Sequence, residues 1–177
     1  MDIKKIAIVV AMAAGSLMAN AHAKDQGHGT VKFEGSIVDA PCSISEDTND
    51  QTVDLGEVSN VALKNGGSSV PTPFYVKLEQ CDTSALTKKT VTTTFTGAAS
   101  AGNPDLLGIT GTAKGASIAI TDGSGTVVKL GTATAAQVLA DGENTLAFSA
   151  YLQGDNTTAP IVPGSFTSIA NFTLAYQ

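Results

Sequence analysis

The chain has 177 residues, of which 10 are lysine and 16 are acidic, and its formal net charge is −6. It has no arginine, and after residue 23 it has no basic cluster beyond one pair of lysines at 88–89, which argues against nucleic acid or another partner held by phosphates. Its length suffices for one domain with a real core, and abundant Thr, Ser, Gly and Val without tryptophan favour pleated strands joined by tight turns.

Residues 1–23 have the pattern of a cleaved signal peptide. Two lysines precede an almost unbroken apolar or small run over 6–17, and Ala-His-Ala at 21–23 is the small-x-small pattern before a cleavage site. An N-terminal membrane anchor is the alternative, but the run is shorter than the ~20 residues of a membrane span. We therefore expect residues 24–177 to be exported.

Residues 27–37 alternate without a break between two sets of side chains, as in a strand with one face to bury. One set contains Val31 and Phe33 together with Gly27, Gly29 and Gly35. Glycine packs nothing and weakens a strand interior. Its repeated use on the apolar face indicates that another backbone lies too close for a side chain.

The rest of the chain reads as short strands separated by turn signals. We predict strands over 37–44, 53–58, 74–81, 90–97, 116–121, 126–130 and 144–153, a helical turn over 133–140, and a last strand within 164–177. The strands at 116–121 and 126–130 flank Asp-Gly-Ser-Gly and form a predicted hairpin. This spacing favours a β-sandwich, and barrels or jelly rolls are the competing all-β folds.

Cys42 and Cys81 are the only cysteines. An even pair in an exported chain indicates one disulfide, which ties strand 37–44 to strand 74–81. A redox-active or metal-binding thiol is the alternative, but the pair is not CxxC, and His28 is the only histidine after residue 23. The single histidine likewise argues against a Ser-His-Asp triad and against a zinc site. With GxGxxG and P-loop patterns absent as well, we predict no catalytic residues, no metal site and no cofactor.

The final strand alternates again, with Ala170, Phe172, Leu174 and Tyr176 on every second position. Read by itself, this pattern fits the last strand of a self-contained sandwich, just as the alternation of 27–37 fits an ordinary first strand.

Several motifs together resemble the pilins assembled by the chaperone–usher pathway, the type 1 and P pilus subunits. Gly164 is the fourteenth residue from the C-terminus, Tyr176 is penultimate, and Phe166, Phe172 and Leu174 lie at even counts between them. The signal peptide, the arm motif at 29–33, Val-Asp-Ala-Pro-Cys at 38–42 and the second cysteine occur in the family's order, so that the resemblance covers residues 24–177.

The resemblance implies an incomplete immunoglobulin-like β-sandwich that lacks its last strand, completed by a donor strand from a neighbouring subunit. The implied organisation is a signal peptide (1–23), a donor-strand arm (24–36) and a pilin domain (37–177). Val31 and Phe33 would fill the neighbour's groove, with Gly29 where the groove is shallow and Gly27 and Gly35 on the same face. The acceptor groove and the core beneath it would be formed by the C-terminal motif: Gly164, Phe166, Ala170, Phe172, Leu174 and Tyr176.

The function implied is that of a structural, non-enzymatic subunit that polymerises head to tail into a surface fimbria used in adhesion. Its implied partners are neighbouring subunits in a homopolymer, a periplasmic chaperone that lends a strand first, and an outer-membrane usher. The length and the arm argue against a tip adhesin, which has a second domain and donates nothing. A minor adaptor pilin and a self-contained exported binding module are the alternatives.

Overall fold

The computed structural model describes residues 27–155 and 160–177. The predicted signal peptide and the first residues of the predicted arm therefore lie outside the described residues. One compact unit spans Val38–Gln177, and the residues up to Ile37 group separately from it. Within the described residues, no helix has the length and apolar character needed to cross a membrane.

The compact unit is built almost entirely from strands. Two short helical turns occur, an α-helical one at Glu46–Asn49 (α1) and a 3-10 turn at Lys64–Gly66. The strands are β1 Ser43–Ile44, β2 Thr72–Cys81, β3 Thr90–Gly97, β4 Leu107–Gly108, β5 Thr110–Gly111, β6 Ala116–Asp122, β7 Val127–Val128, β8 Gln137–Val138, β9 Gly142–Gly154, β10 Phe166–Thr167 and β11 Ala170–Tyr176.

A six-stranded antiparallel sheet forms one layer. Its strand order is β1-β2-β9-β6-β4, with β7 also paired to β6. The long strands β2 and β9 lie side by side with Phe74 opposite Phe148. Every second residue of β9 from Leu146 onward is buried, as expected for a strand with one face in the core.

A three-stranded sheet with the order β11-β3-β8 forms the opposing layer, and β10 pairs with β5 in a separate two-stranded ribbon. Phe95 of β3 contacts Phe148 of β9 edge to face, with ring centroids 5.0 Å apart. Phe74 stacks on Phe148 at 5.6 Å. These aromatic contacts join the two layers into a sandwich around one aromatic centre.

The predicted disulfide between Cys42 and Cys81 is present in the structure. Both cysteines are buried, and the bond fastens the residues just before β1 to the end of β2. Closing a loop of this size contributes about 3–4 kcal/mol in the chain-entropy account.

Four predicted elements differ from the structure. Residues 27–40 are exposed and have no regular secondary structure, strand 37–44 is reduced to β1, and 53–58 is not paired as a strand. In each case the residues have side-chain alternation but few or no backbone partners, and a strand requires both. The predicted helical turn over 133–140 is wrong. That segment is extended and pairs along β3 through β8 and through a bridge between Thr94 and Ala133.

Candidate functional site

The last strand, β11, has one paired edge and one open edge. It runs antiparallel to β3, and Gln177 and Thr90 exchange both backbone hydrogen bonds, at 2.9 and 3.1 Å. Because hydrogen-bonded pairs alternate in such a ladder, the N–H and C=O groups of Phe172, Leu174 and Tyr176 point away from β3. Among the described residues, no strand pairs with that edge.

The same three residues carry the apolar side chains of β11. Phe172, Leu174 and Tyr176 are half-buried and pack against the core cluster that contains Phe95 and Phe148, whereas Asn171, Thr173 and Ala175 are exposed on the other face. Partial burial raises the pKa of the Tyr176 phenol. The open edge of β11 therefore presents unpaired backbone groups beside incompletely covered apolar side chains.

The segment 52–58 resembles β11 in having unpaired backbone groups. Val53, Leu55 and Val58 are half-buried, and the last two pack against the second core cluster, which contains Leu107 and Leu152. The segment forms no backbone–backbone hydrogen bond with any described residue. Among the described residues, the one hydrogen bond to its backbone is local, from the Gly56 N–H to the Asp54 carboxylate.

Three further half-buried apolar side chains pack against the core clusters that these two segments also contact. Phe74 and Leu130 pack against both core clusters, and Ile109 packs against the second. A hollow of about 450 Å³ opens beside residues 51–54 and reaches Phe74. Polar and apolar residues both line this hollow. We use the name acceptor groove for the half-buried apolar side chains together with the backbone that has no partner among the described residues: β11, residues 52–58, and Phe74, Ile109 and Leu130.

The described part of the predicted arm, residues 27–37, is exposed throughout. Val31 and Phe33 expose 73% and 89% of their surface, and Ile37 is fully exposed. Large apolar side chains at this exposure are unfavourable in water by about 1.5–3 kcal/mol each relative to burial. Between them, Lys32 and Glu34 form an exposed ion pair at 2.5 Å.

The subunit itself does not explain two glycines of the arm. Neither Gly29 nor Gly35 adopts a positive φ, and a Cβ added to either would meet no atom within 4 Å. Any residue could therefore occupy these positions in the isolated subunit. Gly27 differs because its φ of 141° favours glycine by itself.

The C-terminal motif is divided between two places. Phe166 lies on β10 and packs half-buried against the second core cluster, whereas Ala170 is exposed at the start of β11. Gly164 lies in the loop before β10, where a Cβ would collide with the backbone of Thr112 and Ala113. A close approach of two loops thus accounts for this glycine.

Three residues of the acceptor groove, Phe74, Ile109 and Leu130, were not among the site residues predicted from the sequence. Phe74 begins the predicted strand 74–81, but no sequence signal separates a half-buried groove residue from an ordinary core residue. The groove offers backbone groups and apolar surface. Within 27–155 and 160–177, no group of three or more His, Cys, Asp or Glu side chains could hold a metal ion.

The geometry defines the class of protein first: an all-β sandwich whose last strand has no partner on one edge among the described residues, preceded by an exposed alternating arm, is the fold of a pilin. A chain from a solved chaperone–usher pilus, described in terms of rod uncoiling, superposes with a TM-score of 0.76 at 38% identity, covering 86% of this chain and 97% of that one. The predicted fold class is thereby confirmed.

Sequence comparison identifies the family. Residues 31–177 match the Fimbrial protein family. The chain is 63% identical over 177 residues to the Fimbria A protein of Serratia marcescens, and 53% identical over 178 residues to the Major MR/P fimbria protein of Proteus mirabilis, covering 100% of each chain in both cases. The chain therefore belongs to the Fimbrial protein family.

Its role follows from the family and these relatives. The chain is a major fimbrial pilin that polymerises with neighbouring pilins into the rod of a surface fimbria. This confirms the predicted structural, non-enzymatic function and the predicted location at the cell surface. The alternatives, a self-contained binding module and a minor adaptor, are not supported by relatives of this kind.

Proposed function

We propose that the acceptor groove of one subunit receives residues 27–35 of its neighbour as an added strand, and that each subunit lends its own arm in the same way. The observation that carries this proposal is the open edge of β11. The inward-facing Phe172, Leu174 and Tyr176 have backbone groups without partners among the described residues. An added strand would satisfy them, each hydrogen bond contributing about 1 kcal/mol net.

The arm has the complementary pattern. Val31 and Phe33 are highly exposed in the subunit and would point into the acceptor groove together, since they lie two positions apart. Gly29 and Gly35 share their face, and the free subunit gives no reason for either glycine. Close approach to the neighbour's backbone supplies that reason.

Such a contact joins different surfaces of two identical chains. A heterologous contact of this kind propagates as an open filament unless its rotation closes a ring. This agrees with a rod-forming subunit and explains how one chain can form both sides of each joint.

A further part of the proposal concerns the subunit before assembly. An open, apolar sheet edge is an aggregation hazard. We propose that a periplasmic chaperone covers the acceptor groove by lending a strand, and that an outer-membrane usher exchanges that strand for the arm of the next subunit.

The test compares two leucine substitutions on opposite faces of the arm. Gly29→Leu places a large side chain on the groove-facing side, and Thr30→Leu, the control, places the same side chain on the outward side. Neither is expected to alter subunit folding, because both positions are exposed in the free arm. We expect fimbriae from Thr30→Leu and none from Gly29→Leu, scored by electron microscopy and by the heat-resistant ladder of multimers on gels. Normal fimbriae from Gly29→Leu would refute the proposal.

A further inference from the structure

We propose that Lys32 of the donated arm forms an ion pair with Asp54 and Glu57 of the receiving subunit, and that this contact sets the register in which the arm is accepted. The inference rests on the proposed function, since it assigns a specificity contact to the same groove. The ion pair lies on the outward face of the donated arm, where the apolar side chains of the arm make no contact with the groove.

The arm directs a charge outward at its centre. If Val31 and Phe33 point into the groove, the residue between them points away from it. Lys32 is the only lysine in the described arm, and its side chain is 75% exposed. In the free subunit its ion-pair partner is Glu34, two positions further on the same face.

The two borders of the groove differ in charge on that outward side. β11 presents Asn171, Thr173 and Ala175, all exposed and uncharged. The segment 52–58 presents Asp54 and Glu57, both exposed. A lysine in the middle of a strand lying between these borders therefore has carboxylates on one side only.

Those carboxylates are available. Neither Asp54 nor Glu57 forms an ion pair with a described residue, whereas Asp47 and Asp105 are matched with Lys77 and Lys129. The Gly56 N–H donates to Asp54 Oδ1 at 2.8 Å, which holds this carboxylate in place and leaves its second oxygen unused. Within the described residues, one border of the groove thus has a carboxylate that is held in place and forms no ion pair, and Lys77, which lines the same hollow, is paired with Asp47.

Charge can distinguish registers that apolar alternation treats alike. A slip of one residue turns Val31 and Phe33 out of the groove, but a slip of two residues keeps the alternation. A slip in one direction puts Glu34 in place of Lys32 beside Asp54 and Glu57, and attraction becomes repulsion. A slip in the other direction puts Thr30 there, and the attraction is lost. The ion pair therefore adds to the glycine pattern in selecting one register.

The experiment is a charge swap in full-length subunits. The three variants are Lys32→Glu, the pair Asp54→Lys with Glu57→Lys, and the combination of all three. The control is Glu79→Lys with Glu143→Lys, which changes the net charge as the pair does but lies outside the groove. The readout is the rate of filament formation by purified subunits at low and high salt, together with the folded content of each variant by circular dichroism.

We expect Lys32→Glu and the Asp54/Glu57 pair to slow assembly by about three- to tenfold at low salt, and the combined variant to recover most of the rate. The differences should shrink at about 1 M salt, where charges are screened beyond roughly 3 Å. Recovery of the rate in the combined variant, with equal folded content in all variants by circular dichroism, would exclude a folding defect as the cause of slow assembly. No recovery, or wild-type rates in both partial variants, would overturn the inference.

Gly29→Leu is measured in parallel to separate this inference from the proposed function. If Gly29→Leu blocks assembly and the charge variants do not follow the expected pattern, strand donation stands and the ion pair is rejected. Normal assembly of Gly29→Leu would instead reject the acceptor groove itself.

Discussion

At the scale of single residues, Thr93 is the least satisfied polar group of the core. It lies on β3 opposite Leu174, is fully buried, and its hydroxyl has no hydrogen-bond partner among the described residues. A buried hydroxyl without a partner costs about 1–3 kcal/mol, because the water it loses is not replaced. The position therefore weakens the layer on which the groove is built.

We predict that Thr93→Val stabilises the subunit by about 1 kcal/mol, since valine has nearly the same shape and no hydroxyl. The measurement is the midpoint of urea unfolding. Thr92→Val is the control: Thr92 is the neighbouring residue on the outward face and only partly buried, so a change within about 0.5 kcal/mol is expected. A destabilised Thr93→Val would mean that the hydroxyl has a partner, such as a buried water.

At the scale of elements, one carboxylate joins the loop after β2 to the loop between β8 and β9. The Thr83 hydroxyl and backbone N–H donate to Asp141 Oδ1 at 2.7 and 2.8 Å, and Thr83 is buried. The side-chain hydrogen bond, with that of the backbone, lowers the pKa of Asp141. A carboxylate with a lowered folded-state pKa stabilises the fold above its unfolded-state pKa, and this stability is lost as the pH falls.

We therefore predict that part of the acid sensitivity of the subunit depends on Asp141. Stability should fall as the pH decreases below about 4, and Asp141→Asn should lower stability at neutral pH while flattening this decline. Unfolding midpoints between pH 6 and 3 measure both effects. Glu143→Gln, at an exposed carboxylate nearby, is the control, and an unchanged slope in Asp141→Asn would contradict the assignment.

The elements predicted best from the sequence are those whose alternation or turn residues lie within the element itself. The alternation of β3 and β9 and the turn before β7 predicted those strands and the hairpin, because both signals are local. Segments 29–37 and 53–58 also have alternating side chains, yet they form no strand within the described residues, because a strand needs backbone partners as well as alternation. The extended β8 was mistaken for helix because its partner, β3, is distant in sequence: Thr90 pairs with Val138 and Val91 with Gln137.

The residues of the candidate site likewise include some that a local pattern predicted and some that it did not. The half-buried Phe172, Leu174 and Tyr176 were found from alternation and from the resemblance of the C-terminal motif. Leu130 and Ile109 were missed, because their role depends on which core residues the missing strand leaves uncovered. Only the assembled sandwich shows that.

At the scale of the whole molecule, β11 with its open edge lies near the C-terminal end of the described residues, and the predicted donor arm lies near their N-terminal end. β11 ends at Tyr176, one residue before the C-terminus. A strand attached after Gln177 through a short turn would therefore run back antiparallel to β11, along its open edge. A copy of residues 27–37 appended there would fill the groove of its own chain. If residues 24–36 are also removed from the front, the chain has nothing left to donate.

We predict that this rearranged chain is a stable monomer, soluble without a partner, because the groove is filled and the donor arm is absent. Size-exclusion chromatography and thermal unfolding measure both properties. A matched chain with Asn in place of Val31 and Phe33 in the appended copy keeps the backbone but loses two apolar side chains, at a cost of about 1.5–3 kcal/mol each. It should unfold earlier and aggregate. If both chains behave alike, the arm side chains do not fill the groove, and the pairing of β11 with the arm is wrong.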